Sequence, residues 1–360
     1  MSTQSESPEL HSLFYMTDRQ RRNARIICGN SHPGLAKDLS NLLGIKLVDC
    51  ELQYFSNSEI RPVIKESIRG KNIFIIQTGT FNRILCDRSV NDHLMETFLL
   101  IRACKRADSK NITLIMPNMP YARQDKKDNP RGGISARDIA DILEICGITR
   151  VICLDLHCAQ IQGFFNVPCD NLFCNNLIKN VLFDKVFRNS DNYKENYVVI
   201  SPDEGALKRA KQFANSVDLP FMVLSKERDY TKLNMVENMF LIGNKKYLKN
   251  RTAIIIDDMC DTFGTVQKAA NCLIENGAKS VILAITHGIF SGPAIERMNN
   301  TDTIEMVICS NSIPQTENTK RCNKLVVFSV ANLISSVIAS LITGNSISRL
   351  FEDSELKITF

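Results

Sequence analysis

Three acids follow one apolar run. Residues 254–265 read I-I-I-D-D-M-C-D-T-F-G-T. An apolar strand feeding a loop that opens a helix aims backbone N–H groups and a helix N-terminus at a phosphate. Asp261, Thr262, Gly264 and Thr265 would add an acid, hydroxyls and a glycine for close backbone approach, and Asp257 and Asp258 can accept hydrogen bonds from vicinal sugar hydroxyls. A helix cap would account for one Asp or Thr, but two adjacent acids exceed what a cap needs. We expect both to lie beyond the end of a strand spanning 252–256, where solvent makes their charge affordable. Two further clusters sit at similar places. Y-A-R-Q-D-K-K-D (121–128) packs three cations and two acids into eight residues just after a strand. D-L-H-C-A-Q-I-Q-G-F-F (155–165) sets His157 at the end of another strand, a suitable place for a metal or phosphate ligand.

Parallel strands are what must position these groups. Short Ile-rich runs at 72–77, 112–116, 150–154, 197–200, 252–256 and 280–285 alternate with amphipathic stretches. That alternation predicts an α/β fold whose strands are covered on both faces. The pattern also repeats. K-N-I-F-I-I-Q-T-G-T (71–80) matches R-T-A-I-I-I-D-D-M-C-D-T-F-G-T (251–265), and 108–117 matches 277–286. Residues 26–37 likewise match 199–210, so two similar units follow in tandem. Only the second carries acids in its loop, which makes Q-T-G-T the structural relic. Ligands of open α/β sheets sit beyond the strand C-termini, where all three clusters fall.

Composition limits the alternatives. The 360 residues are 44% hydrophobic and 23% charged, with a net charge of +5, a globular composition that gives little reason to expect nucleic acid. The 13 cysteines include no C-x-x-C pair and mostly sit in apolar runs, as reduced core residues do. No run approaches membrane-spanning length. The polar residues 1–23 carry acids and no secretory core, which predicts a disordered extension and a cytosolic protein. There is no G-x-x-x-x-G-K-[ST] loop, so an ordinary P-loop kinase is disfavoured.

Taken in order, Y-A-R-Q-D-K-K-D, D-L-H-x-x-Q-I-Q-G-F-F, S-P-D-x-G (201–205), K-E-R (226–228), D-D-M-C-D-T-F-G-T and T-H-G-I-F-S-G-P-A (286–294) closely resemble the ribose-phosphate diphosphokinase (PRPP synthetase) family. The resemblance covers about 25–351 and points to the phosphate-regulated class. It implies two tandem phosphoribosyltransferase-like domains, one of 24–172 with about 343–360 and one of 173–342. It implies ATP, with Mg²⁺, as diphosphoryl donor and ribose 5-phosphate as acceptor. Phe55, Asn57 and Glu59 match adenine-binding positions, which in the family reach a neighbouring subunit's site. Arg123, Gln124 and Asp128 match ATP contacts, and His157 and Asp203 match magnesium positions. Asp257, Asp258, Asp261, Thr262, Phe263, Gly264 and Thr265 match the ribose-5-phosphate loop. Lys226 and Arg228 match a catalytic pair on a flexible loop. Ser67, Arg69, Lys126, Lys127, Asn171, Ser346 and Phe351 fall on allosteric phosphate or ADP positions. A homohexamer built from dimers is the implied assembly.

Two other readings share these motifs. A PRPP-using phosphoribosyltransferase would not need 55–59 or 121–128, and a non-catalytic family member would keep the fold alone. Departures from the family pattern are an insertion at 81–90, the sparsely basic D-Y-T-K after K-E-R, the bulky Phe263, and Pro130 where a serine is common. Pro130 has neither hydroxyl nor N–H and removes one anion contact, which predicts weakened phosphate activation or altered ADP inhibition.

Overall fold

The computed structural model describes residues 15–81, 87–127, 129–190, 192–228 and 236–348, with backbone alone at 189, 226–228 and 236–238. Asp128, Phe351 and 82–86 of the insertion lie outside the described residues. Residues 15–23 of the stretch expected to be disordered are described, and they include a helix. Thr17 caps the helix α1 (Asp18–Arg22) reciprocally with Gln20, and Met16 is buried. The T-x-x-Q spacing of a capping box carries that start.

The described residues up to Phe173 and from Val330 onward form one unit, and Cys174–Ser329 forms the other. The return to the first unit thus begins at Val330, ahead of the expected 343. A C-terminal helix explains the difference: Ala331–Thr343, buried along Ala331–Ala339, packs on the helix α2 (Pro33–Leu43).

Ile-rich runs build a five-stranded, all-parallel sheet in the first unit. Its strands are β1 (Ala24–Cys28), β4 (Asn72–Ile76), β5 (Asn111–Ile115), β6 (Arg150–Leu154) and β7 (Cys169–Leu172), in that spatial order. Between β1 and β4 the chain makes an antiparallel hairpin, β2 (Cys50–Tyr54) and β3 (Ile60–Ile64). The second unit repeats the plan. Its strands β8 (Tyr197–Ser201), β11 (Thr252–Cys260), β12 (Ser280–Gly288), β13 (Ile304–Ser310) and β14 (Leu325–Phe328) take the same order and are again parallel. Its hairpin, β9 (Phe221–Arg228) and β10 (Val236–Ile242), also falls between the first and second of these strands, but β9 pairs parallel with β8 and extends the sheet to seven.

The two orders agree strand for strand, so the sequence repeat is a structural repeat. Every residue of β12 is buried, as in a sheet covered on both faces. Cys104, Cys153 and Cys309 are core residues, and all twelve described cysteines are free thiols. No helix among the described residues is long and apolar enough to cross a membrane.

Candidate active site

Asp257 and Asp258 do not lie beyond the sheet. Strand β11 continues past Ile256 and stays paired with β12 through Asp257↔Ile285, Met259↔His287 and Cys260↔Gly288. The reason is that β12 is itself nine residues long and offers a ladder to that point. On the other side, pairing with β8 stops at Ile255↔Ile200. The β8 chain then turns, with Ser201 Oγ donating to Asp203 O at 2.7 Å and Asp203 Oδ1 accepting from Ala206 N–H at 3.0 Å. This turn brings Asp203 beside Asp257 and Asp258. Asp258 is buried, and its N–H donates to Asp257 Oδ1 at 2.9 Å. Burial, then the charges of Asp258 and Asp203, push the Asp257 carboxyl well above the usual carboxylate range. Three carboxylates are thus crowded at the ends of β8 and β11.

The loop after β11 is fixed from beneath. Phe263 sits in the left-handed region at φ 66°, yet its side chain is only 1% exposed. It belongs to the apolar cluster containing Ile285, Phe290 and Met298. The expected ligand role of Phe263 is therefore corrected for its side chain, which serves as the anchor of the loop. Above it, Thr262 and Thr265 remain exposed, and the helix α5 (Gly264–Glu275) begins. Its first N–H groups have no intrahelical partners and form an anion seat. The T-H-G-I-F-S-G-P-A stretch buttresses the loop: Ile289 N–H donates to Cys260 O at 2.9 Å and Ser291 N–H to Asp261 O at 3.1 Å. Arg297, which the sequence reading missed, donates from Nη1 to Thr262 O at 2.9 Å. A Cβ at Gly264 would meet the same nitrogen at 3.1 Å, so glycine leaves room for this strut.

In the first unit, Gln77 and Thr78 hold the positions of Asp257 and Asp258, and Asn30 that of Asp203. Amides and a hydroxyl thus replace carboxylates. A fully buried carboxylate, Glu96 of the helix α3 (Val90–Arg106), fills the centre. It accepts from Asn30 N–H at 2.6 Å, Asn30 Nδ2 at 2.8 Å, Gln77 Nε2 at 2.8 Å and Tyr54 OH at 3.0 Å. Gln77 also lies 2.3 Å from where a Cβ at Gly29 would be. The relic loop is plugged from within.

The ATP-side residues of the first unit are spread over three turns. Phe55, Asn57 and Glu59 cap the β2–β3 hairpin, closed by Phe55 N–H to Glu59 O at 2.9 Å and Glu59 N–H to Asn57 Oδ1 at 3.2 Å. Phe55 is 49% exposed. Arg123 is exposed, whereas Gln124 is tied to the start of the helix α4 (Ser135–Cys146), accepting from Ser135 Oγ at 2.7 Å and from Ala136 N–H at 3.2 Å. His157 is exposed after a turn in which the buried Asp155 takes φ 36°. Asn171, expected at a regulatory surface, is buried, and its Oδ1 accepts from Leu156 N–H at 2.9 Å beneath His157. Ser67, Lys126, Lys127 and Ser346 are exposed, and Arg69 lies 3.8 Å from Asp108.

Lys226 and Arg228 lie on the last residues of β9, opposite Met239 and Val236 of β10, and not in a loop. Residues 229–235, which follow them, are outside the described residues.

The donors suit a magnesium ion only in part. Asp203 with its two acidic neighbours offers hard oxygen, and His157 an accessible ring. Among the described residues, no group of three or more His, Cys, Asp or Glu is arranged to hold a metal.

The repeat, the acidic loop and the basic turns define a tandem phosphoribosyltransferase-like α/β protein. Residues 24–147 match the family model described as the N-terminal domain of ribose phosphate pyrophosphokinase, and residues 239–352 match the phosphoribosyl synthetase-associated domain. Ribose-phosphate pyrophosphokinase 2 of Schizosaccharomyces pombe is 41% identical over 327 residues, 91% of this chain and 97% of that protein. The crystal structure of phosphoribosylpyrophosphate synthetase from Mycobacterium smegmatis superposes with a TM-score of 0.79 at 36% identity, covering 90% of this chain and all of that one. The chain belongs to the ribose-phosphate pyrophosphokinase family, enzymes that transfer a diphosphate group.

Proposed function

We propose that this chain transfers the β,γ-diphosphoryl group of ATP to the C1 hydroxyl of ribose 5-phosphate, giving PRPP and AMP. The observation that carries the reading is the three-acid cluster Asp203, Asp257 and Asp258 beside an exposed threonine loop, in a chain matched over 91% of its length by a pyrophosphokinase. The C1 oxygen bonds to the β-phosphorus, the bond from that phosphorus to the α,β-bridging oxygen breaks, and AMP leaves with that electron pair. Asp257 and Asp258 hold the ribose hydroxyls. Thr262, Thr265 and the N–H groups of 261–265 hold the 5-phosphate. Phe55, Asn57 and Glu59 take the adenine, and Arg123 with Gln124 and Asp128 orient the ATP. Lys226 and Arg228 stabilise charge on the transferring group. His157 and Asp203 are the candidate magnesium ligands, and the ion would supply charge neutralisation on the phosphate oxygens.

The finer assignments complete this reading. Inorganic phosphate acts as activator through the exposed Ser67, Arg69, Lys126, Lys127 and Ser346, with Phe351. The protein works in the cytosol as a homohexamer of dimers. AMP formation that depends on both ATP and ribose 5-phosphate tests the reaction. Lys226→Ala lowers kcat by a factor on the order of 10² with little change in the ribose-5-phosphate KM. A variant that keeps nearly full kcat removes Lys226 from the chemistry.

A further inference from the structure

Tyr54 is the last residue of β2 and pairs with Ile60, so it stands at the base of the turn that carries Phe55, Asn57 and Glu59. Both ends of this side chain are held. Its hydroxyl donates to the fully buried Glu96 at 3.0 Å. Its ring lies under the Arg88 guanidinium, whose carbon is 3.6 Å from the ring centroid. Arg88 is half-buried and comes from the described end of the 81–90 insertion, immediately before the Ser89 cap of α3. Glu96 is rigid in turn, because Asn30 and Gln77 supply three more hydrogen bonds to it. The hairpin strands form a two-stranded sheet of their own, which is marginal alone, and Cys50, Leu52 and Ile64 seat its body on the core of the first unit. A tip that must present a base-stacking ring needs such an outside support.

We propose that Arg88 and Glu96 are positioning residues for ATP: one over the ring face of Tyr54 and the other at its hydroxyl, they hold that side chain and so set the hairpin tip that takes the adenine, without touching the nucleotide. This rests on the reading of Phe55, Asn57 and Glu59 as the adenine site. It gives the 81–90 insertion a task, and it gives the plugged relic loop of the first unit a use as the anchor of a substrate-binding hairpin.

The experiment is steady-state kinetics on the full-length enzyme with ATP and ribose 5-phosphate varied separately. Removing a partly desolvated cation–ring contact in Arg88→Ala raises the ATP KM by about 3- to 10-fold, while kcat and the ribose-5-phosphate KM stay within about twofold. Arg88→Lys, which keeps the cation over the ring, restores most of the loss. Tyr54→Phe, which keeps the ring and drops the hydroxyl, gives the same ATP-specific effect from the Glu96 side. Phe55→Ala is the reference. If it leaves the ATP KM unchanged, the adenine reading itself is wrong. If it raises the ATP KM while Arg88→Ala and Tyr54→Phe do not, the clamp is wrong and the adenine reading stands. Equal losses for both substrates, with no recovery in Arg88→Lys, mark a general structural role and overturn the proposal.

Discussion

Replacing Phe263 by alanine and by glycine should invert the usual order of those two residues. The wild-type side chain is 1% exposed in the core of the second unit, while its backbone holds φ 66°. Truncating a buried Phe costs about 3–5 kcal/mol through lost transfer energy and the cavity left behind. The left-handed backbone costs a residue with a Cβ about 1–2 kcal/mol, and glycine nothing. Phe263→Ala keeps that strain and loses the burial that offset it, so it destabilises by about 3–5 kcal/mol. Phe263→Gly loses the same burial but sheds the strain, for a net cost of about 1–4 kcal/mol. At about 2–4 °C per kcal/mol for a unit of this size, the alanine variant melts on the order of 10 °C below wild type. The glycine variant then melts a few degrees above the alanine one. Far-UV circular dichroism on both variants, side by side, reads the order. An alanine variant as stable as wild type, or more stable than the glycine variant, refutes the account of Phe263 as a strained anchor held by burial.

Three other outcomes follow from the site. Asp257→Asn removes one of three crowded carboxylates. It should raise the melting temperature by a degree or more, through relief on the order of 1 kcal/mol, while lowering activity on the order of 10²-fold. A variant both less stable and fully active contradicts that trade. Arg297→Ala withdraws the strut under Thr262 and should raise the ribose-5-phosphate KM with the ATP KM unchanged, read in the same kinetic assay. Pro130→Ser returns a hydroxyl and an N–H to an exposed position, and should increase the fold-activation by phosphate over wild type in a phosphate titration. Equal activation curves would remove Pro130 from the regulatory argument.

The strands and the duplication were legible because buried parallel strands leave Ile-rich runs and the second copy kept them. The two-acid loop was legible because acids after such a run have few structural excuses. Where β11 ends was not legible. Asp257 and Asp258 stay paired because β12 runs on beside them, and ladder length is a property of the partner strand. Phe263 looked misplaced among ligand groups because no local pattern tells a side chain that faces a ligand from one that turns beneath the loop. Asn171 matched a regulatory position, yet its side chain is spent on Leu156 N–H, a contact between strands that sequence spacing does not encode. Glu96 was missed because it sits inside an amphipathic helix, where a lone acid reads as solvent-facing. The T-x-x-Q cap at Thr17 was in plain view and was passed over under the assumption of a disordered tail.

The plugged loop of the first unit bears on the history of the chain. An acid at Gln77, as at the matching Asp257, would be set against Glu96, fully buried and already bonded to the Asn30 and Gln77 amides. That single exchange meets buried like-charge repulsion. The first unit's loop therefore does not convert into the acidic loop of the second by that one substitution, and Glu96 keeps the two halves of the repeat distinct.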